Sequence, residues 1–267
     1  MEKVPSILLK IAGQKEKEVK KMKATGWDKK YWYLAKKEPS EFSFYAAITK
    51  PNPIPNLIAE FKKASPSKGI IRRSVRPETI AKLYKECGAC AISVLTDKNF
   101  KGEPNFLLRI REKVDLPLLR KDFIIDKSQI YESRYFGADA ILLITSLLKP
   151  SQIKNFIKIA DSLKMDCLVE AHNENELEKA VNSGARIIGI NNRNLHDFSV
   201  DRKTTLNLLK YVPENCPIVT ESGILNYEHV RELSDPRVNA MLVGESIMRA
   251  EDMKGKIYEL LGRSDSS

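Results

Sequence analysis

Cys167-Leu168-Val169-Glu170-Ala171-His172-Asn173, then Glu174-Asn175-Glu176-Leu177-Glu178-Lys179-Ala180-Val181-Asn182-Ser183-Gly184, then Ile187-Ile188-Gly189-Ile190, is the stretch on which the fold turns. An apolar run at 167–169 ends in a carboxylate, a helical stretch over 174–182 stops before Gly184, and a second apolar run follows at 187–190. Runs that are apolar at successive positions, rather than at alternate ones, suit strands buried on both faces. A helical crossover between two of them makes the pair parallel.

The same unit recurs in both directions from this stretch. Apolar runs stand at 57–61, 91–95, 117–119 and 140–144 before it and at 217–219 and 240–243 after it, eight in all. Helical stretches fill the intervals. The one over 77–86 opens with Pro77 and Glu78 and stops at Gly88, and that over 128–136 stops at Gly137. Eight strand–helix units with no strand left over favour a closed (β/α)8 barrel, the TIM barrel, over an open doubly wound sheet. The length of 267 residues accommodates it as one domain. The expected organisation is an N-terminal helical extension over 1–56 packed on a barrel over 57–262.

Residues before the first run do not fit the repeat. They hold a basic amphipathic helix, an aromatic cluster at Trp27, Tyr31, Trp32 and Tyr33, and a proline-rich segment over 51–55. Aromatics that pack an added helix onto a barrel face account for the cluster better than a nucleic-acid surface does. In the run 15–23 lysine and glutamate alternate around few apolar residues, which reads as a solvated helix face.

Forty-five Lys and Arg against 35 Asp and Glu give a net charge of +10, which points to an anionic partner without naming it. Four cysteines, Cys87, Cys90, Cys167 and Cys216, show no metal spacing beyond the Cys87/Cys90 pair. That pair falls where a helix ends and a strand begins, the wrong side of a strand for a redox dithiol, so packed reduced thiols are expected. With no apolar stretch long enough for a bilayer and no secretory signal pattern, the expected setting is reducing and cytoplasmic.

Barrel chemistry sits at the C-terminal ends of the strands and the loops after them, so charged residues that end apolar runs are the candidates. Period-two geometry puts Ile58, Glu60 and Lys62 on one face, Lys121 with Leu119, Glu170 with Leu168, Asn191 with Arg193, and Glu221 at the end of the seventh run. Two lysines and three glutamates converging on one mouth would shift one another's pKa values and let acid and base forms coexist near neutral pH. His172, His196 and His229 read more simply as loop or helix-surface residues. Glu221-Ser222-Gly223 and Gly244-Glu245-Ser246 follow the last two runs, where barrels hold a phosphate on backbone N–H groups and a helix N-terminus. The loop over 63–69 is either a lid or a plain polar connection.

Taken together, Ile58-Ala59-Glu60-Phe61-Lys62-Lys63-Ala64-Ser65-Pro66-Ser67-Lys68-Gly69, Leu118-Leu119-Arg120-Lys121-Asp122-Phe123-Ile124, Leu168-Val169-Glu170-Ala171-His172 and Ile188-Gly189-Ile190-Asn191-Asn192-Arg193 resemble the indole-3-glycerol phosphate synthase family. Thr220-Glu221-Ser222-Gly223-Ile224 and Leu242-Val243-Gly244-Glu245-Ser246 complete a match running from about residue 7 to residue 260, although these two motifs are shared by many phosphate-binding barrels. The resemblance implies a carboxy-lyase of tryptophan biosynthesis. It would close the indole ring of 1-(2-carboxyphenylamino)-1-deoxyribulose 5-phosphate with loss of carbon dioxide and water, with no metal and no organic cofactor.

By the same resemblance Lys121 is the general acid at the ribulose carbonyl and Glu170 the base of the final elimination, with Glu60, Lys62 and Asn191 assisting. Which of Lys62 and Lys121 protonates the departing hydroxyl stays open. Ser65, Lys62 and Arg193 lie near the anthranilate carboxylate, and Ser222, Gly223, Gly244, Glu245 and Ser246 hold the phosphate, with Glu221 behind them. Phe100, Phe123 and Leu142 are candidates to pack the aromatic ring or simply to fill the core. The implied partner is a phosphorylated small molecule, with no nucleic acid and no membrane. The oligomeric state is open, a monomer included, as is association with other enzymes of the pathway.

Asn99-Phe100-Lys101-Gly102-Glu103 departs from the family pattern, with one phenylalanine and a glutamate where paired phenylalanines and a serine are common. Two other readings compete. An isomerase barrel acting one step earlier fits only the last two strands and would need a cysteine and an aspartate as acid and base. A nucleic-acid binder would rest on the charge and the N-terminal aromatics alone.

Overall fold

The computed structural model describes residues 5–38, 42–65 and 69–263. Eight parallel strands close into one barrel: β1 (Asn56–Phe61), β2 (Ala91–Leu95), β3 (Leu118–Lys121), β4 (Ala140–Ile144), β5 (Asp166–Ala171), β6 (Ile187–Asn191), β7 (Ile218–Glu221) and β8 (Val238–Val243). Each pairs with its sequence neighbours, and β1 closes the ring by pairing with both β8 and β2. This is the (β/α)8 barrel that the eight apolar runs predict.

The strands are apolar on both faces because both faces are covered. Ile58, Leu119, Leu142, Leu168, Val219 and Leu242 fill the barrel interior. The alternate residues, Leu57, Ala59 and Phe61 on β1 among them, pack outward against the helices. At about 25 cal/mol per Å² of apolar surface removed from water, these two layers supply the main favourable contribution to folding.

The segment before β1 forms α1 (Ser6–Ala24), α2 (Trp27–Ala35) and α3 (Phe44–Ile48). It does more than pack on one face. Ile7, Leu8 and Ile11 of α1 reach over the mouth at the strands' C-terminal ends. Phe44 and Ile48 of α3, both fully buried, join the interior residues at the opposite end. Asn56 fastens that end by donating to the carbonyls of Ile48, Lys50 and Asn239. Tyr31 of α2 lies 5.1 Å from the ring of Tyr135 and 6.0 Å from that of Phe136, so it does pack a helix on the barrel. Trp32 and Tyr33 instead stay exposed, with Lys36 and Lys37 over their rings.

The solvated reading of the run 15–23 fails at Lys15, which is 3% exposed. Its Nζ lies 2.8 Å from Asp97 Oδ2 and 2.6 Å from Asp122 Oδ1, in the loops after β2 and β3. Burial works against the ammonium, but Asp122 and Asp97 outweigh it and hold the Lys15 pKa above its ordinary value. Beyond β1, Ala64–Ser65 pairs antiparallel with Gly69–Ile70, so the ends of the loop expected at 63–69 form a small hairpin. Pro66, Ser67 and Lys68 lie outside the described residues. The four cysteines are free thiols, as the sequence predicts, and no described helix is long and apolar enough to cross a membrane.

Candidate active site

A cavity of about 630 Å³ opens at the C-terminal ends of the strands. Strand parity delivers its floor. Interior-facing positions are apolar deep in the barrel and become Glu60, Lys121, Glu170, Asn191 and Glu221 at the last interior position of β1, β3, β5, β6 and β7. All thirteen residues singled out from the sequence line this one cavity: these five, Lys62, Ser65, Arg193, Ser222, Gly223, Gly244, Glu245 and Ser246.

At the centre, Lys121 Nζ stands 3.0 Å from Glu170 Oε2 and 3.1 Å from Glu221 Oε2. Burial disfavours its charge, yet the attraction of Glu170 and then Glu221 is larger, and the pKa of Lys121 is raised. Burial alone would raise Glu170, but Lys121 and then His172 outweigh it and hold this carboxylate well below the usual range. Glu221 goes the other way. Its burial is only partly offset by Lys121, and repulsion from Glu170 adds to it, so the group is pushed up to about 8. Two carboxyls that share one ammonium are thus driven in opposite directions, Glu170 toward the ionised form and Glu221 toward the protonated one. At the end of β1, Lys62 Nζ lies 2.8 Å from Glu60 Oε1.

Arg193 leans across the rim. Its backbone N–H donates to Asn191 Oδ1 at 3.0 Å, and its guanidinium donates to the Phe198 carbonyl at 3.2 Å and stands 3.9 Å from Glu245 Oε2. The wall carries Phe100 and Phe123, whose rings stack with centroids 6.3 Å apart, and Leu142 of the interior cluster against which Phe123 packs. All three face the cavity. Glu103 does not line it; it borders a separate cavity beneath α1 with Lys15 and Arg120, so its carboxylate is kept from the mouth.

At the other end, Ser222 and Gly223 turn with φ of 69° and 84°, in the left-handed region, and both line the cavity. Ser246 Oγ donates to the Ile224 carbonyl at 2.9 Å and ties the loop after β8 to the loop after β7. Gly244 is required by packing, since a Cβ there would collide with the carboxylate of Glu60. The Glu245 carboxylate is engaged with Arg249, 3.3 Å away, leaving its backbone N–H as the group with which it can meet an anion.

One functional neighbour escaped the sequence reading. His172 is not a plain loop residue: its Nε2 lies 3.3 Å from Glu170 Oε1 and its Nδ1 2.9 Å from Glu176 Oε2. The signal that could have found it is strand parity, since position 172 falls on the face of Glu170. Among the described residues no group of His, Cys, Asp and Glu has the arrangement of a metal site.

A family model described as indole-3-glycerol phosphate synthase matches residues 8–260. The indole-3-glycerol phosphate synthase of Acetivibrio thermocellus is 50% identical over 258 residues, covering 95% of this chain and 98% of the relative. That of Desulfotalea psychrophila is 45% identical, with 95% and 98% covered. Among solved structures, 3-hexulose-6-phosphate synthase from Salmonella typhimurium superposes with a TM-score of 0.64 at 14% identity, over 78% of this chain and 97% of that one. A mutant tryptophan synthase alpha-subunit from Pyrococcus furiosus gives 0.59 at 19%, over 78% and 98%. At such identities the structural likeness establishes the barrel alone. The sequence matches span nearly the whole chain and all the strand-end motifs, and by them the chain belongs to the indole-3-glycerol phosphate synthase family.

Proposed function

We propose that this chain closes the indole ring of 1-(2-carboxyphenylamino)-1-deoxyribulose 5-phosphate, releasing carbon dioxide and water to give indole-3-glycerol phosphate. The observation that carries the reading is the Lys121 ammonium, held between Glu170 and Glu221 on the floor of a cavity with stacked aromatics on its wall and serine–glycine turns at its rim.

The phosphate goes to the backbone N–H groups of Ser222, Gly223, Gly244, Glu245 and Ser246, and the anthranilate ring to Phe100, Phe123 and Leu142. Its carboxylate meets Lys62, Ser65 and Arg193, a planar guanidinium being able to hold it by two parallel hydrogen bonds. That grip must not tighten in the ground state alone, since this would raise the barrier to decarboxylation. As the aromatic carbon attacks the ribulose carbonyl, Lys121 donates a proton to the oxygen and stabilises its developing charge. Loss of carbon dioxide restores the electron pair to the ring system. Glu170 then removes the proton whose departure, with that of the hydroxyl, makes the pyrrole aromatic. Glu60 and Lys62 support the proton transfers, and Asn191 orients the intermediate. In this reading the extension over 1–56 and the barrel over 57–262 act as one catalytic unit. The enzyme works in the cytoplasm, which suits four unpaired thiols.

Purified protein mixed with the carboxyphenylamino-deoxyribulose phosphate is expected to develop indole fluorescence. Lys121→Ala is expected to lower kcat by about 10²–10⁴-fold with a much smaller change in KM, because the contact strengthens only in the transition state. Indole formation at an undiminished rate in the variant would remove Lys121 from the acid role. A folded wild-type protein that forms no indole would leave a phosphate-binding barrel of different chemistry.

A further inference from the structure

The proposed roles leave one buried ionisable group at the mouth without a task. His172 follows β5 directly and shares the face of Glu170, but it is absent from the cavity wall and touches no position that a substrate would fill. Its side chain is 12% exposed, that of Glu170 3% and that of Glu176 18%. Glu176 grips it twice, accepting from the backbone N–H of His172 at 2.9 Å and meeting Nδ1 at 2.9 Å. Glu176 is itself fixed in the first turn of the helix Glu174–Asn182, where its N–H donates to the capping Asn173. Thr145 closes the circle: its Oγ1 lies 3.0 Å from Glu176 Oε2 and 2.7 Å from the Glu170 carbonyl. The imidazole therefore has little freedom, and its Nε2 has one polar neighbour among the described residues, Glu170 Oε1 at 3.3 Å.

We infer that His172 is a positioning residue for Glu170: clamped by Glu176, its imidazole holds Glu170 Oε1 so that Oε2 alone is presented to Lys121 and the substrate. The inference rests on the reading of Glu170 as the base of the elimination. A base that must take a proton from one defined carbon gains from having a single oxygen in place before the reaction begins. A carboxylate pinned by Lys121 alone could rotate and offer either oxygen.

The charges agree with this arrangement. Glu170 and Glu176 overcome the effect of burial and raise the pKa of His172 to about 10, so the ring is a cation at neutral pH. Groups facing it are Glu170 on β5 and Glu176 on the helix Glu174–Asn182, with Lys179 of that helix turned to the Thr145 carbonyl. Glu170 in turn faces Lys121 of β3, and Glu221 of β7 meets that same ammonium. His172 is thus the second cation on Glu170, and its removal raises the pKa of the base.

The test is steady-state kinetics from pH 9 down to about pH 3, where a carboxylate held below its usual range takes up its proton, for wild type, His172→Leu, His172→Gln, Glu176→Gln and Glu170→Gln, each with a thermal melt at every pH used. Expected for His172→Leu is a fall in kcat of about 10–100-fold, the cost usual for losing a group that orients a reactive one. KM should change little, and the acidic limb of kcat should move to higher pH, because a carboxylate that has lost a neighbouring cation protonates sooner. His172→Gln, whose amide still donates to Oε1, should recover part of the rate but not the limb. Glu176→Gln should move both in the direction of His172→Leu by a smaller amount.

A folded His172→Leu with wild-type kcat and an unmoved acidic limb would overturn the inference. So would a loss that falls on KM alone. If His172→Leu does not fold, Glu176→Gln decides by the same two readouts. Failure of the underlying reading looks different: either wild type forms no indole, or Glu170→Gln is as active as wild type.

Discussion

Two carboxyls share Lys121 and respond to it in opposite ways, and stability should record that. Glu221 has a folded pKa raised from the ordinary 4.5 to about 8, so between these values the native state holds a proton that the unfolded chain has released. Its contribution is fully present below 4.5 and is lost as pH rises through 8. His172, raised from 6.5 to about 10, adds a loss in the same direction across a higher window. Denaturant midpoints are therefore expected to fall from pH 6 to pH 10, and Glu221→Gln, which keeps the shape and cannot ionise, should flatten the part of that fall below about pH 8. A variant whose midpoint tracks wild type in parallel over pH 5–9 would show that Glu221 titrates in its ordinary range. Most residues at this centre were legible beforehand, because a charge at the last interior position of an apolar strand has no bland partner to hide behind. His172 was not, although parity put it beside Glu170. Its meaning depends on Glu176, which in sequence is only an acid in the first turn of a helix, where acids are common.

At the scale of elements, α1 ties the N-terminal segment to the catalytic end of the barrel. Leu8, Ile11, Lys15 and Val19 are its buried residues, so a lysine sits in the stripe that faces the core. Lys15 meets Asp97 and Asp122, and Asp122 also accepts from Arg120, which pairs with Glu132 of the helix Lys127–Tyr135 at 2.8 Å. Taking away one partner of such a buried cluster leaves charge uncompensated in a poor solvent and costs about 3–5 kcal/mol. Lys15→Met, which keeps the apolar stem, is expected to destabilise by that much in urea denaturation. Lys23→Ala breaks only the half-exposed pair with Asp126 and should cost less than about 1 kcal/mol. Equal and small losses in the two variants would mean that α1 is held by its apolar stripe and not by the cluster. Alternating lysine and glutamate on a helix normally marks a solvated face. The run 15–23 carried no local sign to the contrary, because the aspartates that bury Lys15 belong to loops far along the chain.

For the whole molecule, the eight strands were legible because burial on both faces leaves no choice but continuous apolarity, and Gly88, Gly137 and Gly184 mark where three of the crossovers end. How the first 55 residues cover the barrel was not legible, since α1 at the mouth and α3 at the base carry ordinary amphipathic patterns that name no partner surface. The net charge of +10 likewise named an anion and no more. Within the mouth Lys62, Lys121, Arg193 and Arg202 are matched by Glu60, Asp122, Glu170, Glu221 and Glu245, so attraction of an anionic substrate falls to the basic excess on the surface around it. Positive charge around a cleft with low-dielectric walls raises the encounter rate of an anionic substrate, and salt screens it, with a Debye length of about 10 Å at 0.1 M ionic strength. The buried pairs that set the chemistry are screened far less. Raising the ionic strength from about 0.02 to 0.3 M is therefore expected to lower kcat/KM severalfold while kcat stays within a factor of about two. A kcat that falls in step with kcat/KM would place the sensitivity in the Lys121–Glu170–Glu221 cluster itself. A kcat/KM that ignores salt would mean that the basic surface takes no part in bringing the substrate in.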